Sequence, residues 1–516
     1  MKKSLAILLA LIMMISLAAC GNSDDTVNDA ATQNRTLNLA VDTALNLLDP
    51  YVTNSLNELG ILKNFYEGLI YYNYDADTVE PRVATAWEQS EDGLVWTFTI
   101  NTDIKFHNGK NVTVEDVVFS YERAMEEALM SIYTAPIEKV EAVDETTFKV
   151  TLNSNNAVFL QYVSNIFILN KSFYDENNGD ITKTICGTGP YKLDTVDLAT
   201  ALTASAFADY WRGEASIKSV KWSVITDASA TALALEAGDL DYLKIAHSQY
   251  ATMSANDKLS VSLLPTCHTV WISFNCKEGP FADPLVRQAV SYMINREAIS
   301  MACFEGLADV DSLVINRNAE GMPDYDSVLS NYTYEYNPEK GLELLAQAGY
   351  DTSKEIDLGE MKSYAEGHYI TKACPVIQSN LAQYGVKISI NAMETNAFVE
   401  DLYNGTYTIA MAGGSYGVDM SNYYQVWGSY NIGVFGGNPS FWGNAEADEL
   451  FEKAAIENDT AKRQEMYGRI MEIMYEECPG TAVGHKYEAI AHTKSLVIPV
   501  LHVDGYQMVY EWSFAE

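Results

Sequence analysis

The sequence predicts an α/β protein with mixed sheets, and three observations point to that class. The chain has 516 residues, too many for one compact core, so two or three domains are expected. Its hydrophobic content of 48% with 11% aromatic residues is typical of a globular protein. Short runs with the two-residue period of strands alternate along the chain with amphipathic helical segments, as they do in α/β proteins.

The N-terminus has the features of an export signal. Lys2 and Lys3 precede the apolar run Leu5 to Leu17, which is too short to span a hydrocarbon core about 30 Å thick. Two alanines and Cys20 follow directly, as in the bacterial lipobox. We predict a lipoprotein signal peptide at 1–19 and Cys20 as the lipidated mature N-terminus. The alternative is an ordinary signal peptide that happens to end at a cysteine.

Residues 20–35 are small and polar, without an apolar period, and predict a flexible tether. After residue 20 no run of 18 apolar residues occurs, so no second membrane segment is expected.

The charge balance argues against nucleic acid as a partner. The whole chain has a net charge of −37, and removal of Lys2 and Lys3 with the signal makes it −39. Nucleic-acid binding depends on neutralising phosphates with basic side chains, which this chain lacks as a tract. Anionic lipid head groups would also repel the protein, so its lipid has to hold it at the membrane.

Six cysteines remain after Cys20. An oxidised pairing is open, since six cysteines allow about 15 connectivities. We favour the interpretation that they are small buried hydrophobic residues. They are Cys186, Cys267, Cys276, Cys303, Cys374 and Cys478.

Strands are predicted where apolar and polar residues alternate or β-branched residues cluster. Asn108-Gly109 adds a tight-turn signal because both residues tolerate positive φ. The predicted strands are Leu37–Val41, Trp96–Ile100, Val220–Ile225, Val386–Ile390 and Tyr407–Met411.

Helices are predicted where a capping residue precedes an amphipathic run. Thr113 begins a helix that runs to about Glu127, and three further caps are followed by helical sequence. These are Asp283 before Pro284, Asn295 in a helix ending before Gly306, and Asn337 before Pro338 in a helix closed by Gly349. A long amphipathic helix is predicted at Thr460–Glu477, stopped by Pro479.

Spaced motifs in one order also connect the chain to a known family. They are Tyr66-Glu-Gly-Leu69, Pro81-Arg-Val-Ala-Thr-Ala-Trp87, Glu91-Asp-Gly-Leu-Val-Trp-Thr-Phe98, Ile104-Lys-Phe-His-Asn-Gly109, Thr113 to Tyr121, Gly187-Thr-Gly-Pro-Tyr191, Tyr210-Trp-Arg-Gly213, Phe274-Asn275, Pro280-Phe-Ala-Asp283, Val286-Arg-Gln-Ala289, Asn295-Arg-Glu297, Asn337-Pro-Glu339 and Leu344 to Gly349. With these motifs the chain resembles the extracytoplasmic solute-binding proteins of ABC importers, in the dipeptide, oligopeptide and nickel-binding family (family 5). The match covers roughly residues 36–500.

The resemblance implies a two-lobed, type II periplasmic-binding-protein-like clamp that closes over its ligand by hinge motion. Carried over, lobe I comprises 36–269 plus 486–516, with an extra subdomain at 56–186, and lobe II comprises 270–485. The implied activity is capture of a short peptide and delivery to an ABC permease, by a monomer without cofactor. Its place is the outer face of the cytoplasmic membrane, or the periplasmic side if the host has an outer membrane.

The resemblance also implies where the ligand lies. In peptide-binding members, a strand of lobe II leads into an acidic residue that pairs with the ligand's α-amine. An ungapped match puts Gly417 at that position, and Asp419 fits only with a two-residue shift, with Tyr416 in place of the usual tryptophan. The alternative is that Asp419 caps a loop.

Large aromatic side chains suit a chamber that accepts varied ligands. Tyr423 and Trp427 follow Asp419 closely, and Trp271 lies near a predicted crossover between the lobes. The alternative for the first two is a helix packed into lobe II. A peptide main chain is expected to be held by strand-like hydrogen bonds. The predicted ligand residues are Asp419, Tyr416, Ser415, Trp271, Asn275, Tyr423 and Trp427.

Two features of the sequence are compatible with other chemistry. Gly413-Gly-Ser415-Tyr-Gly417 matches the nucleophile elbow of serine hydrolases, for which Asp419, Asp448 and His485 are the candidate partners. The pattern is short in a glycine-rich chain, so no enzymatic activity is predicted. A non-peptide ligand such as a nickel complex, haem or an oligosaccharide is the second alternative. For a metal, His268, His368 and His485 would have to meet in the cleft.

Overall fold

Helices and strands alternate along residues 35–515, the part of the chain that this computed structural model describes, without residues 54, 75–77, 320, 417–418, 435 and 503–504. The predicted signal peptide, Cys20 and all but the last residue of the predicted tether lie outside the described residues.

The strands are β1 (Thr36–Val41), β2 (Ile70–Asn73), β3 (Thr78–Pro81), β4 (Ala84–Gln89), β5 (Val95–Ile100), β6 (Ile137–Ala142), β7 (Thr147–Leu152), β8 (Tyr191–Asp197), β9 (Ala201–Ala206), β10 (Ser219–Val224), β11 (Tyr242–Ile245), β12 (Leu259–Phe274), β13 (Ala308–Asp309), β14 (Ile356–Ser363), β15 (Val386–Ala392), β16 (Ile409–Ser415), β17 (Gly480–Thr493), β18 (Leu496–Val497) and β19 (Ser513–Phe514).

The α-helices are α1 (Leu56–Leu62), α2 (Val114–Glu126), α3 (Ser131–Thr134), α4 (Phe159–Val163), α5 (Lys171–Glu176), α6 (Ala228–Ala237), α7 (His247–Ser254), α8 (Pro284–Met293), α9 (Arg296–Phe304), α10 (Tyr325–Asn331), α11 (Pro338–Gln347), α12 (Ala373–Ala382), α13 (Thr395–Asn404), α14 (Tyr424–Trp427), α15 (Ala445–Ile456) and α16 (Thr460–Glu477). Short 3₁₀ helices lie at Ala128–Met130, Pro280–Ala282, Tyr369–Lys372, Met420–Tyr423, Ser429–Asn431 and Val509–Glu511.

One mixed sheet extends through both lobes. Its strands lie in the order β15-β14-β16-β12-β17-β11-β1-β10-β9-β8, and β13 pairs with β17. Strand β1 is parallel to β10 and β11, and β14 is parallel to β15 and β16, whereas the other neighbours are antiparallel. The predicted fold class, an α/β two-lobed clamp with mixed sheets, is confirmed.

Each lobe has its own hydrophobic core. Lobe I surrounds the buried cluster that runs from Leu37 to Leu264 and resumes at Ile490. Lobe II surrounds two clusters whose buried members lie between Val270 and Val483. The residue bounds given above for the lobes and the extra subdomain stay a prediction.

Strands β12 and β17 carry the chain between the two cores. Their antiparallel register runs from Leu259↔Thr493 to Pro265↔Tyr487 and resumes at Thr269↔His485. Three residues of β12, Thr266 to His268, therefore face one residue of β17, Lys486. Such a bulge bends a strand and redirects its side chains, and here it lies between the lobes.

A smaller antiparallel sheet, β4-β5-β7-β6, belongs to lobe I and packs under α2. Its buried residues, among them Phe98 and Val150, are continuous with the rest of the lobe I core. The same cluster contains Val117 and Tyr121 of α2.

Local chemistry explains why most predicted elements form. Thr113 accepts from the Asp116 N–H at 3.1 Å and completes a capping box at the start of α2. Asp283, Asn295 and Asn337 cap their helices as predicted, and α16 has the predicted bounds.

One predicted strand is displaced. The segment predicted at Tyr407–Met411 forms β16 at Ile409–Ser415 instead. Pairing with β12 extends through Gly413 and Gly414 to His268↔Ser415, so tertiary pairing overrides the low strand propensity of glycine. The displacement brings Ser415 into the sheet.

The six cysteines of the described chain are free thiols, and all except the half-buried Cys276 are buried. None of the helices in the described part of the chain combines the length and the apolar content that crossing a bilayer requires.

The close approach of Gly187 to the backbone of Phe65 predicts a stability effect. A Cβ at Gly187 would overlap the carbonyl oxygen of Phe65, so Gly187→Ala should lower the free energy of unfolding by about 1–3 kcal/mol. The control is Gly468→Ala inside α16, where a Cβ meets only Pro323 at 3.8 Å. That change should stabilise by about 0.5–1 kcal/mol. Urea unfolding measures both, and equal values for the two variants would contradict the close approach.

Candidate functional site

A cavity of about 580 Å³ opens on lobe I, within the range of about 300–1,000 Å³ typical of small-molecule sites. It lies at the carboxyl ends of β1, β10 and β11, where ligands bind in α/β sheets. Its wall includes Val41, Asp42, Asn57, Thr226, Lys244, Ile245, Lys486, Glu488, Tyr506 and Gln507.

Three charged side chains form a row along this wall. In the antiparallel pair of β11 and β17, Lys244 lies opposite Ile490, so Glu488 is its diagonal neighbour on the same face and Lys486 follows two residues further. Lys486 Nζ lies 2.9 Å from Glu488 Oε1. Burial acts to raise the pKa of Glu488, but the lysine charges outweigh burial and lower it. The row therefore reads positive, negative, positive.

The row continues into lobe II through aromatic and hydroxyl groups. Lys486 Nζ lies 5.7 Å from the centre of the Tyr369 ring. The Tyr369 hydroxyl is 2.7 Å from His268 Nε2, and His268 Nδ1 is 3.1 Å from Ser415 Oγ. The crossover strands thus connect the lobe I cavity with the end of β16.

His268 is uncharged at neutral pH. Burial, assisted by the charge of Lys486, lowers the pKa of His268 to about 4. Its ring is one of the bulged residues of β12, which explains why it faces Lys486 and not the lobe II core. A neutral imidazole with both nitrogens in hydrogen bonds positions its neighbours rather than supplying charge.

Strand β16 has a partly unpaired edge on its side facing β14, in lobe II. On one side it pairs with β12 along its whole length, and on the other β14 reaches only Ile409 and Ala410. Among the described residues no strand pairs with Met411–Ser415 on that second edge. Gly413 and Gly414 carry no side chain of their own, and the Ile370 side chain and the Tyr416 hydroxyl lie close to them.

Tyr416 and the predicted tryptophans pack together. The Tyr416 ring lies 5.8 Å from Trp271 and 6.1 Å from Tyr423, and Trp271 lies 6.2 Å from Trp427. Trp271, Tyr423 and Trp427 are at most 2% exposed. Their surroundings are a lobe II core, as in the helix-packing alternative. The indole N–H of Trp271 has no hydrogen-bond partner among the described residues. Ligand contact by these residues stays a prediction.

Asn275 is engaged by the backbone. Its amide donates to the carbonyls of Gly405 and Tyr407 at 3.0 and 2.8 Å, and its oxygen accepts from the Lys277 N–H. These bonds attach the end of β12 to the start of β16. Its contact with ligand likewise stays a prediction.

The carboxylate of Asp419 has protein partners. It accepts from the Ser421 N–H at 2.7 Å and caps the following 3₁₀ helix. Arg463 of α16 donates to it at 3.3 Å, and Gln161 of lobe I donates at 3.4 Å. Asp419 is 1% exposed, so its side chain belongs to a contact between the lobes.

A second group of hydrogen bonds extends that contact. The Ala157 N–H donates to the Ala455 carbonyl at 2.9 Å, and the Asn155 amide donates to the Ile456 carbonyl at 2.7 Å. Both bonds join the loop before α4 to the end of α15. Lobe I and lobe II therefore touch away from the crossover strands.

The structure does not assemble the hydrolase proposed as an alternative. Ser415 ends a strand and contacts His268 instead of the candidate partners. His485 binds Asp311 at 3.0 Å and Thr269 at 2.9 Å, and Asp448 accepts from the Ser429 N–H. No described carboxylate contacts His268.

The histidines named for a metal do not meet either. His268 contacts Ser415 and Tyr369, His485 contacts Asp311, and His368 stacks on Tyr364 at 4.4 Å. In the described ranges, no three His, Cys, Asp or Glu side chains converge in the way that a metal ion requires.

Sequence reasoning missed Lys244, Lys486, Glu488 and Tyr369. A signal was present for two of them, since Lys486-Tyr-Glu488 alternates two charges on one face of an otherwise apolar strand. Lys244 and Tyr369 come from distant segments, and only the sheet order places them beside that strand.

The sequence profile of the bacterial extracellular solute-binding proteins, family 5 (middle), matches residues 78–433. The glutathione-binding protein GsiB of Salmonella typhimurium is 27% identical over 495 residues, covering 93% of this chain and 94% of the relative.

Two solved structures show the same fold. HbpA2 from Haemophilus parasuis has a TM-score of 0.84 at 25% identity and covers 93% of this chain and 100% of its own. The periplasmic binding protein DppA from Helicobacter pylori, in complex with the peptide STSA, has a TM-score of 0.75 at 24% identity, with 95% and 100% covered.

The interlobe contact predicts a stability effect at Asp419. Asp419→Ala removes a helix cap and the carboxylate partner of the Arg463 guanidinium, which is 12% exposed. The free energy of unfolding of the ligand-free protein should fall by about 1–3 kcal/mol. The exposed Asp257 provides the control, since Asp257→Ala should change stability by less than about 0.5 kcal/mol. Unchanged stability with lost ligand binding would assign Asp419 to the ligand instead.

The depressed pKa of His268 predicts acid sensitivity. The unfolded histidine, with a pKa near 6.5, takes up a proton that the folded side chain refuses until about pH 4. Stability should therefore decrease as the pH falls from about 6.5 to about 4. His268→Gln should reduce this decrease by about 3 kcal/mol. The contribution of His107, whose pKa burial also lowers to about 4, should remain. Urea unfolding at pH 7, 6, 5 and 4 measures the slopes, and identical slopes would contradict the assignment.

Proposed function

Because this chain belongs to the family 5 bacterial extracellular solute-binding proteins, which serve ABC importers, we propose that it captures short peptides in the cleft between its lobes and delivers them to the permease. It acts as a monomer, and ligand binding biases the two lobes toward their closed arrangement. No cofactor takes part.

The cavity on lobe I, which the crossover strand β17 lines through Lys486 and Glu488, carries this proposal. Its volume of about 580 Å³ suits a small solute rather than a protein segment. It offers both signs of charge through Lys244, Lys486 and Glu488, which match the charged ends of a peptide. In lobe II, the edge of β16 at Met411–Ser415, with which no described strand pairs, has backbone donors and acceptors of the kind that hold an extended main chain.

The relative supports a peptide as the ligand class. GsiB is named as a glutathione-binding protein, and glutathione is a tripeptide with free carboxylates and an amine. Coverage of 93% of this chain and 94% of the relative includes both lobes.

Ser415 and Tyr416 are the predicted residues best placed for the ligand. Ser415 is exposed at the end of β16, and Tyr416 follows it directly. Asp419 is occupied by Arg463 and Gln161, and Gly417 has no side chain to replace it. The peptide amine in this protein therefore needs an anchor other than the one the family resemblance implies.

We propose further that Cys20 carries the lipid that holds the protein at the outer face of the cytoplasmic membrane. The lipobox-like Leu17-Ala-Ala-Cys20 supports this location. The net charge of −37 supports it as well, because an acidic surface does not adhere to anionic lipid without an anchor. The interval 20–35 then gives the clamp freedom to turn at the membrane.

The proposed activity needs no bond-making or bond-breaking step. Ser415 contacts a histidine that is uncharged at neutral pH and held by Tyr369 rather than by a carboxylate. Without an acidic orienting group, a Ser–His pair lacks the arrangement that activates a nucleophile. The cargo is expected to leave the protein unaltered.

Native mass spectrometry of the full-length protein extracted from cell membranes in detergent tests the peptide proposal. We expect a ladder of bound masses that tandem spectra resolve into short peptides. Stripped and refolded protein should melt at a higher temperature when peptides are added, since a ligand at 100 times its Kd stabilises by about 2.7 kcal/mol. The added peptides should be recovered intact.

Two results would overturn parts of this proposal. A single discrete non-peptide mass, such as a metal chelate, a haem or an oligosaccharide, would replace the ligand class and leave the importer role standing. Cleaved peptides, together with stoichiometric labelling of Ser415 by a serine-directed phosphonate, would indicate a hydrolase.

A further inference from the structure

One carboxylate lies between two lysines on the cavity wall. Lys244, Glu488 and Lys486 lie along one face of the β11–β17 pair, and all three line the cavity. Glu488 is 2.9 Å from Lys486, and its electrostatic neighbours also include Lys244. The row therefore has a surplus of one positive charge.

The surplus belongs to Lys244. Among the described residues its ammonium has neither a salt bridge nor a side-chain hydrogen bond, whereas the Lys486 ammonium is paired. Lys244 Nζ lies near Gly505, within 3.4 Å of the position that a Cβ there would take. This holds its charge at the rim of the cavity. Acidic residues outnumber basic ones by 70 to 33 in this chain. An unpaired lysine that lines a cavity therefore favours an anionic group of a ligand as its partner.

A carboxylate of the protein also faces the cavity. Asp42 follows β1, and the register Leu39↔Tyr242 places it opposite Ile245, one residue beyond Lys244. Its Oδ1 accepts from the Asn57 amide at 2.6 Å, which leaves its other oxygen available. Opposite charges thus stand at the ends of two adjacent strands.

We propose that Lys244 binds the carboxylate of the solute and that Asp42 binds its ammonium, so that the ligand is a zwitterion recognised at both charges by lobe I. This inference rests on the proposed function, because it names which end of the captured solute lies where. It assigns to lobe I the recognition of the amine that Asp419 and Gly417 do not provide.

The arrangement has a chemical consequence for selectivity. An ammonium and a carboxylate at fixed positions accept free amino-acid and peptide ends and disfavour solutes that lack either charge, because the unmatched protein charge then loses solvent without gaining a partner. The pair Lys486–Glu488 is neutral in itself and lies between Lys244 and the Tyr369 ring of lobe II. Side-chain recognition is left to the rest of the cleft.

The test measures affinity for matched ligands by isothermal calorimetry on stripped, refolded full-length protein. The probes are trialanine, trialanine amide, acetyl-trialanine and glutathione. Wild type should bind trialanine at least tenfold more tightly than its amide. Lys244→Met should lose at least tenfold for trialanine and should bind acid and amide alike. Asp42→Asn should erase the difference between trialanine and acetyl-trialanine in the same way.

Matched controls separate recognition from folding. Lys221 is an exposed lysine on β10 of the same sheet and does not line the cavity, so Lys221→Met should leave every affinity unchanged. Glu488→Gln removes the shared carboxylate and should tighten trialanine binding severalfold without affecting the amide. Melting temperatures of Lys244→Met and wild type should agree within about 2 °C, because Lys244 is exposed.

The outcomes distinguish this inference from the proposed function. If peptides bind and Lys244→Met retains the wild-type ratio of acid to amide, the lobe I anchor is wrong and the peptide receptor stands. If no peptide binds, the peptide proposal fails. The anchor is then tested by measuring how tightly wild type and Lys244→Met bind the solute found by native mass spectrometry. A solute without a carboxylate, or one that Lys244→Met binds as tightly as wild type, overturns the anchor. A tenfold loss for a carboxylate-bearing solute supports it.

Discussion

The antiparallel pairing of β12 with β17 is the interaction on which the rest of this protein depends. These two strands form the hydrogen-bonded connection through which one sheet extends from the core of lobe I into the core of lobe II. The pairing is interrupted at the bulge of Thr266 to His268, where the chain passes between the two cores, and its register shifts once more between Val270 and Trp271. The paired segments on either side of the bulge hold the strands in fixed register within each lobe. The bulge, where the pairing is broken, is the point at which the two strands can bend. The same bulge directs His268 toward Lys486, so the connection between the lobes and the ligand wall share residues.

Buried arginines hold the lobe II end of this connection. Arg287 of α8 donates to the carbonyls of Glu477 and Cys478 just before β17 begins. Arg296 of α9 donates to the Ala482 carbonyl and the Thr481 hydroxyl within β17. Burial lowers the pKa of Arg296 to about 10, so it remains charged at neutral pH. Each guanidinium satisfies several backbone acceptors at once, which offsets the cost of burying it.

This clarifies what the family motifs do. Arg287 and Arg296 belong to two of the motifs that carry the resemblance. In a third motif, Glu67 is buried and accepts from the Tyr210 hydroxyl at 2.7 Å and from the Thr188 hydroxyl at 3.1 Å, which joins three motifs of lobe I. These motif residues therefore maintain the scaffold, while Lys244, Asp42 and Ser415, which we propose to contact the ligand, lie outside the motifs. A resemblance built on such motifs identifies the clamp much better than it identifies the cargo.

The sequence by itself determined the local elements and the class of the fold. Caps at Thr113, Asp283, Asn295 and Asn337 and the period of apolar residues are written in consecutive positions, so hydrogen bonds within a few residues decide them. The site was a different matter. The sequence directed attention to Asp419, but Arg463 and Gln161 reach it from distant segments and occupy its carboxylate. Lys244, Lys486 and Tyr369 become neighbours only through the strand order β16-β12-β17-β11. Strand order is set by the pairing of segments distant in sequence and by the burial of their apolar side chains in a common core. No local stretch of sequence contains that information.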